Sequence, residues 1–409
     1  MRSAPPQERG VAHAGAAHSP RAHIVHSAAA LAAGMGVGRF VYTPILPLMN
    51  AQAGLSAGTG ASLATANYAG YLAGALGGIL LPRLVRSSTV LRCALLILGA
   101  SLAVMPLTHA TALWLALRSC AGVASALIFV IAVSSTLDHL RDHPVHLPGW
   151  AFGGIGAGIV LSGLLVLTLR SVADWRVAWW AAAGLVVLLT VPSWNLRTDP
   201  APQAVSPAPT GRERAKGRRV WFNALFVSYT LEGVGYIIAG TFLVAAIEQE
   251  APAWIGSAAW ALVGLAAVPS SALWAWLHRR WSRPGLLVAA LAVQAAGVAL
   301  PALFGGAATA LLSAILFGGT FVGVSTLALA AGTDLRFPRS VALLTAGYSA
   351  GQIAGPLIVT PLLHHGYRGA LLVAAAVVSA AAVAAGFLRI SVRSGGGRLD
   401  VGDPDVQVR

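Results

Sequence analysis

The chain has 409 residues, 57% of them hydrophobic and 10% charged, with a mean hydropathy of +0.74. A water-soluble domain carries about 25% charged residues, so this composition excludes a soluble globule and indicates a polytopic membrane protein. The formal charge of +14 raises nucleic acid as a partner, but its distribution along the chain marks membrane topology instead.

The first stretch, "MRSAPPQERGVAHAGAAHSPRAH", is polar and rich in Pro, Ala and His, with no apolar core before a cleavage site. Residues 1–23 are therefore expected to be a disordered cytosolic tail rather than a signal peptide. His13, His18, His23 and His26 fall in a Pro-containing tail, where their spacing is expected to put no pair on one helical face, and no metal site or cofactor is expected. Cys93 and Cys120 sit in or beside apolar runs and indicate neither a disulfide framework nor zinc.

Apolar runs between Gly, Pro and Arg breaks then predict twelve spans: 24–49, 60–82, 89–107, 111–136, 148–170, 176–195, 220–246, 254–277, 284–303, 307–332, 340–363 and 369–390. The separations at Thr108–Thr111 and Gly305–Ala308 are short turns. Residues 196–219, "LRTDPAPQAVSPAPTGRERAKGRR", form the one long connection, Pro-rich and basic. It is expected to be a mobile linker between bundles at 24–195 and 220–390, its basic end against anionic lipid headgroups. Residues 391–409 are expected to be a second disordered cytosolic tail. Alternate connections and tails hold 22 of the 27 Lys and Arg residues, the opposite connections only Arg170, Arg176 and Arg368. By the positive-inside rule, both termini lie in the cytoplasm of a cell inner (plasma) membrane protein, which an even number of spans satisfies.

The polar residues inside spans carry the functional reading. In "GMGVGRFVYTPILPLM" (Gly34 to Met49), Arg39 sits about 20 Å along the first span, among glycines and ahead of Pro44 and Pro47. A guanidinium in hydrocarbon costs at least ~2.5 kcal/mol, so Arg39 must face water, protein or a counter-charge. Its planar fork suits a carboxylate or phosphate; the structural alternative is an arginine bound to carbonyls freed at a proline bend. Thr43, one turn on, is placed on the same surface. Glu232 is the only acidic residue deep inside a span, ~18 Å along the seventh, close to the depth of Arg39. A carboxyl without water is readily protonated and exchanges its proton as water access changes, which suits proton coupling. A fixed partner for Arg39 is the alternative. If the two pair when the site is empty, an anionic substrate competes with Glu232 for Arg39 and frees the carboxyl for protonation. Tyr42, Tyr236, Tyr348 and Gln352 are candidate hydrogen-bonding groups for a ligand, each with interhelical contact as the alternative. Gly154 with Gly158, and Gly351 with Gly355 and Pro356, form strips that suit a sliding seam between moving bundles, or static tight packing.

The halves repeat at a shift of roughly 198 residues: "FGGIGAGIVLSGLL" answers "YSAGQIAGPLIVTPLL", and "GMGVG" answers "EGVGY". Here the chain resembles the major facilitator superfamily. Within it, "GMGVGRFVYTPILPLM", "NYAGYLAGALGG", "FGGIGAGIVLSG", "EGVGYIIAGTFL" and "GQIAGP" look like the YbfB/YjiJ-like transporters. The resemblance spans residues 25 to 390. It implies an all-α integral membrane fold, twelve transmembrane helices as two six-helix bundles, working by alternating access as a monomer. Arg118, with Gly122, resembles the superfamily's RxxxG pattern and so implies a role near a proton path. A span-end arginine snorkelling to the outer interface is the alternative, and the residues favour it. "GILLPRLVR" resembles the cytoplasmic loop pattern at Arg83 and Arg86 but has Pro82 where that pattern has an aspartate and Val85 where it has glycine, so it lacks the carboxylate of the usual latch, and topology alone is the alternative role for the two arginines.

No Walker-type loop, zinc-binding His pair or Ser/His/Asp set is present, so an enzyme is not expected. The expected function is secondary active transport of a small organic solute, an organic anion first, with protons as coupling ion. Proton-antiport efflux of a drug or metabolite and a membrane sensor on a transporter scaffold are the alternatives.

Overall fold

The structure is a computed structural model. It describes residues 20–140, 143, 147–196, 212–335, 337 and 340–394. Twelve long helices run through these residues: α1 Pro20–Gln52, α2 Ala57–Leu80, α3 Ser88–Leu107, α4 Thr111–His139, α5 Leu147–Leu169, α6 Trp175–Ser193, α7 Arg212–Glu250, α8 Ala253–Leu277, α9 Arg283–Phe304, α10 Ala307–Asp334, α11 Ser340–His365 and α12 Arg368–Ser394.

Eleven of these are apolar and long enough to cross a membrane. The exception by composition is α2, "AGTGASLATANYAGYLAGALGGIL", which is long enough but rich in Gly, Thr, Asn and Tyr. Its small residues exchange apolar bulk for close approach. A Cβ on Gly70 would lie 2.1 Å from the Ser119 carbonyl oxygen, and one on Gly122 of α4 only 2.0 Å from the Asn67 carbonyl oxygen. Backbone-to-backbone contact of this kind replaces side-chain packing where hydrocarbon gives no hydrophobic drive. The twelve-helix expectation therefore holds.

The span of α7 that crosses the apolar layer, Arg218–Glu250, has the same 33-residue length as α1. The packing repeats with it: α1 on α5, α2 on α4 and α3 on α4 in one half; α7 on α11, α8 on α10 and α9 on α10 in the other. The halves meet where α5 packs on α8 and α2 on α11. Outside, large apolar side chains such as Leu96, Ile97, Leu188, Phe304, Ile315 and Phe387 are exposed, while Arg39, Asn67, Arg118, Glu232, Gln294 and Gln352 are buried. This arrangement, apolar outside and polar within, suits a hydrocarbon solvent.

Several boundaries differ from expectation. Helix α1 starts at Pro20, inside the expected tail, because proline at the first helical position lacks only an N–H that would be unbonded anyway. The expected linker is helical from Arg212, since no proline lies between Pro209 and Pro252 and the segment is rich in good helix formers. Helix α12 likewise runs to Ser394. The remainder of the expected linker (197–211) and of both tails (1–19 and 395–409) lies outside the described residues. The short separation at 305–306 is a turn made by two glycines with φ of +60° and +83°, the left-handed region open to glycine.

Candidate functional site

The site begins with a break in α1. Residues 32–37 are π-helical, residues 38–41 form a turn, and regular helix resumes at Tyr42. Pro44 has no N–H to give the Phe40 carbonyl, and that carbonyl accepts from the Thr43 N–H at 3.2 Å instead. The Arg39 carbonyl thereby loses its usual intrahelical partner. Arg118 takes over: its Nη2 donates to the Arg39 carbonyl at 3.4 Å and its Nη1 to the Gly38 carbonyl at 3.5 Å. Its guanidinium lies over the Tyr42 ring at 4.8 Å and is 1% exposed. The snorkelling placement of Arg118 is therefore corrected. It is a buried clamp on freed carbonyls, because binding them costs less than leaving them bare in an apolar interior.

Arg39 projects from this break toward the other half. Its Nη2 donates to Oε1 of Gln352 on α11 at 2.7 Å. Its guanidinium carbon lies 4.3 Å from the Tyr71 ring centre and 4.8 Å from that of Tyr68, both on α2. Cation–π contacts of this kind are worth about 2 kcal/mol when desolvated and help to hold a charge out of water. The Arg39 Nε has no hydrogen-bond partner among the described residues.

Glu232 does not pair with Arg39 here, so direct competition of substrate with Glu232 for Arg39 has no support in this conformation. Because α1 and the membrane part of α7 are equivalent 33-residue spans, Glu232 corresponds to Gly34, not to Arg39. Five residues of helix separate the two depths, ~7 Å. The Glu232 Oε1 instead accepts from Nε2 of Gln294 on α9 at 3.3 Å. Glu232 Oε2 and Gln294 Oε1 are buried without partners among the described residues.

Between these groups stands a block of rings. Tyr236, one turn beyond Glu232, stacks on Phe317 (6.0 Å between ring centres), Phe321 (5.4 Å) and Tyr348 (5.9 Å), and Tyr348 stacks on Tyr229 (4.4 Å). Phe40 sets its edge against Tyr236, Trp260 and Phe321. The Trp260 Nε1 is another buried group without a partner among the described residues.

Of the expected ligand groups, the structure brings Arg39, Gln352, Tyr236 and Tyr348 to this junction. Tyr42 is turned away: its hydroxyl donates to the Gly60 carbonyl at 2.9 Å. Thr43 donates to the Gly240 carbonyl across the halves, so it fastens α1 to α7 rather than lining the surface below Arg39. The expected seam glycines are also relocated. A Cβ on Gly154 would lie 2.1 Å from the Ala28 carbonyl oxygen, and one on Gly158 2.5 Å from that of Ala32; both pack on α1 of their own half. Gly351 faces the Thr230 carbonyl and Gly355, just before Pro356, faces α7, again within one half. The contact between halves uses other faces of α5: Gly149 meets Ala272, Gly153 the Val268 carbonyl, Gly156 the Gly264 carbonyl and Gly163 Ala261. Spacing of four shows that a glycine strip exists, but not which neighbour covers it. Arg83, within the short helix Pro82–Val85, and Arg86, which caps it, are both exposed.

Polar bonds join the halves from mid-depth toward the face opposite Pro20 and Ser394, the described ends of α1 and α12. Besides Arg39 to Gln352 and Thr43 to Gly240, the Tyr68 and Thr241 hydroxyls bond at 2.8 Å, and Asn50 donates to the Tyr367 hydroxyl at 2.8 Å. At that face Arg170, just past the end of α5, pairs with Glu248 of α7 at 3.0 Å, and also donates to Ser257 and to the Ala253 carbonyl. That ion pair and Gln294 went unread in the sequence. A lone amide inside the apolar run "LLVAALAVQAAGVAL" was the legible signal for Gln294; Arg170 was visible as one of three basic residues on the charge-poor side.

Residues 31–389 match the family described as "Uncharacterised MFS-type transporter YbfB". A crystal structure of a mutant of the nucleoside transporter NupG superposes with a TM-score of 0.70 at 13% identity, covering 90% of this chain and 99% of that one. No curated protein matches the chain.

Proposed function

The chain belongs to the YbfB-type family of major facilitator transporters, multi-pass proteins that move small molecules across a membrane, and on that premise we propose a proton-coupled secondary transporter for a small organic anion. It resides in the inner membrane with both termini cytoplasmic and moves its cargo by rocking the two six-helix halves about the junction. On that orientation the described conformation is fastened on its outer side, the state from which cargo exchanges with the cytoplasm.

One observation carries the anion reading: Arg39 is 3% exposed at the junction and bonded to Gln352 of the other half, with Nε unpartnered among the described residues. No ion pair neutralises Arg39 or Arg118 among the described residues, and Glu232 is the only carboxyl in the same interior. Excess positive charge in a low-dielectric space, held by neutral groups only, favours an anionic guest. A carboxylate reaching Arg39 competes with the neutral Gln352 acceptor for the charge of the guanidinium and so weakens a bond that ties the halves. Glu232 supplies the proton step, its bond to Gln294 leaving one oxygen free to hold or release a proton as water reaches it. The likeness to NupG, at 13% identity, speaks for the fold; a neutral nucleoside is the natural control cargo.

The test is uptake into proteoliposomes under an imposed proton gradient, across a panel of organic anions with uridine as the neutral control. The expected result is anion uptake that depends on the gradient in the wild type. In Glu232→Gln it becomes gradient-independent, while exchange of anion for anion continues. Gradient-driven uptake unchanged by Glu232→Gln removes Glu232 from coupling, and uptake confined to uridine removes the anion.

A further inference from the structure

We propose that the anion is an aromatic carboxylate, with its ring in the space now filled by Phe40 and its carboxylate across Arg39 Nε and Trp260 Nε1. This rests on the reading of Arg39 as an anion-binding group and adds what the remainder of the molecule must look like.

Two kinds of observation meet at Phe40. The first is unmet hydrogen bonding. Arg39 Nε and Trp260 Nε1 are both donors, both buried, and both without an acceptor among the described residues. The Arg39 guanidinium carbon lies 5.5 Å from the Phe40 ring centre, and the Trp260 ring centre lies 6.3 Å from it. Buried donors are almost always satisfied, so two orphans beside one ring mark a place where an acceptor belongs. A carboxylate has two oxygens and only lone pairs to offer, which is the complement of two N–H groups; an ammonium or an amide donor is not.

The second is the shape and chemistry of the space that Phe40 occupies. Its ring makes edge-to-face contacts with Tyr236, Trp260 and Phe321, at 83°, 62° and 74°, and lies under a guanidinium. Three aromatic walls and a cation define a slot for a flat π-system, since such contacts depend on the ring quadrupole and an aliphatic ring of the same size lacks it. Phe40 itself stands on the turn at 38–41, between the π-helical segment and Pro44, where bonds of mixed span replace a regular ladder: its N–H donates to the Met35 carbonyl at 3.2 Å and its carbonyl accepts from the Thr43 N–H at 3.2 Å. On this proposal the buried side chain is a plug that fills the slot in the described conformation and gives way to the cargo's ring when the junction opens. The wall residues Tyr236 and Phe321 are braced by stacking with Phe317 and one another, so the slot keeps its form when the plug leaves.

The experiment uses the purified full-length chain with benzoate, 4-hydroxybenzoate, cyclohexanecarboxylate, acetate and benzyl alcohol as probes. Binding is read from ligand-induced shifts in melting temperature, and transport from counterflow in proteoliposomes. Expected are binding and counterflow of the two aromatic acids, with cyclohexanecarboxylate weaker by about tenfold, the scale of one or two aromatic contacts. Trp260→Phe keeps the ring, removes the donor and weakens benzoate by about tenfold, as loss of a hydrogen bond to a charged group predicts. Phe40→Ala removes the plug and tightens benzoate binding several-fold; its ligand-free melting curve shows whether the variant is folded. Equal binding of benzoate and cyclohexanecarboxylate, or binding of acetate alone, overturns the aromatic slot and leaves the anion reading standing. Weaker benzoate binding in a folded Phe40→Ala overturns the plug. Binding of benzyl alcohol without any of the acids overturns both this inference and the anion reading, whereas binding of no probe at all overturns this inference and leaves the anion reading to the wider anion panel.

Discussion

Replacing Glu248 by glutamine tests whether the Arg170–Glu248 pair holds the outer side shut. The pair spans the two halves at 3.0 Å, with side chains 14% and 11% exposed. Two unit charges at that distance attract by about 5 kcal/mol at an effective dielectric of ~20. Desolvation of both groups removes a large part of this, so a net contribution of about 2 kcal/mol to the closed state lies between the surface and fully buried limits. Glutamine keeps the size and one hydrogen bond but not the charge, and Arg170 retains Ser257 and the Ala253 carbonyl as acceptors. Losing ~2 kcal/mol from one of two states shifts their ratio by about 30-fold, enough to turn a rare open form into a measurable one. Spin labels at Leu107 and Phe304 report it, because both side chains are exposed on this face, one on each half. The exposed Cys93 and Cys120 are first replaced by serine. Pulsed electron paramagnetic resonance in proteoliposomes is expected to show one short distance in the parent and an added longer one in Glu248→Gln. An unchanged distance distribution, in a variant that still transports, would refute the latch.

Arg39→Lys keeps the charge but cannot reproduce the planar contact with Tyr68 and Tyr71 together with the Gln352 bond, so KM in counterflow is expected to rise at least about tenfold with little change in melting temperature. Gly122→Ala forces a Cβ to within 2.0 Å of the Asn67 carbonyl oxygen and should lower stability by about 1–3 kcal/mol, whereas Gly77→Ala meets nothing within 4 Å and should leave the melting curve in place. Pro44→Ala restores an N–H that can reach the Phe40 carbonyl, freeing Thr43 to bond the Arg39 carbonyl and depriving Arg118 of one of its two acceptors. The expected readout is slower hydrogen exchange across residues 38–46 with a lower transport rate, and unchanged exchange would show that Pro44 does not set the break.

Whatever depends on solvent is legible in the sequence alone. Long apolar runs, the lopsided placement of basic residues and the repeat of six spans follow from the cost of bare backbone and charge in hydrocarbon, and they yield the twelve-helix, two-bundle fold without coordinates. The same cost marks Arg39, Glu232 and Gln352 as residues that must have partners inside. Which partners they have is a matter of rotation and depth, and a helical repeat does not state these. Five residues' offset between equivalent helices separates Glu232 from Arg39 and gives each a neutral amide instead. A missing N–H at Pro44 reaches Arg118 only through the fold. Glycines spaced by four say that a neighbour comes close, while α1 and α7 turn out to be those neighbours for Gly154, Gly158, Gly351 and Gly355. The aromatic block around Phe40 is drawn from α1, α7, α8 and α10, elements so distant along the chain that only tertiary packing brings their rings into one slot.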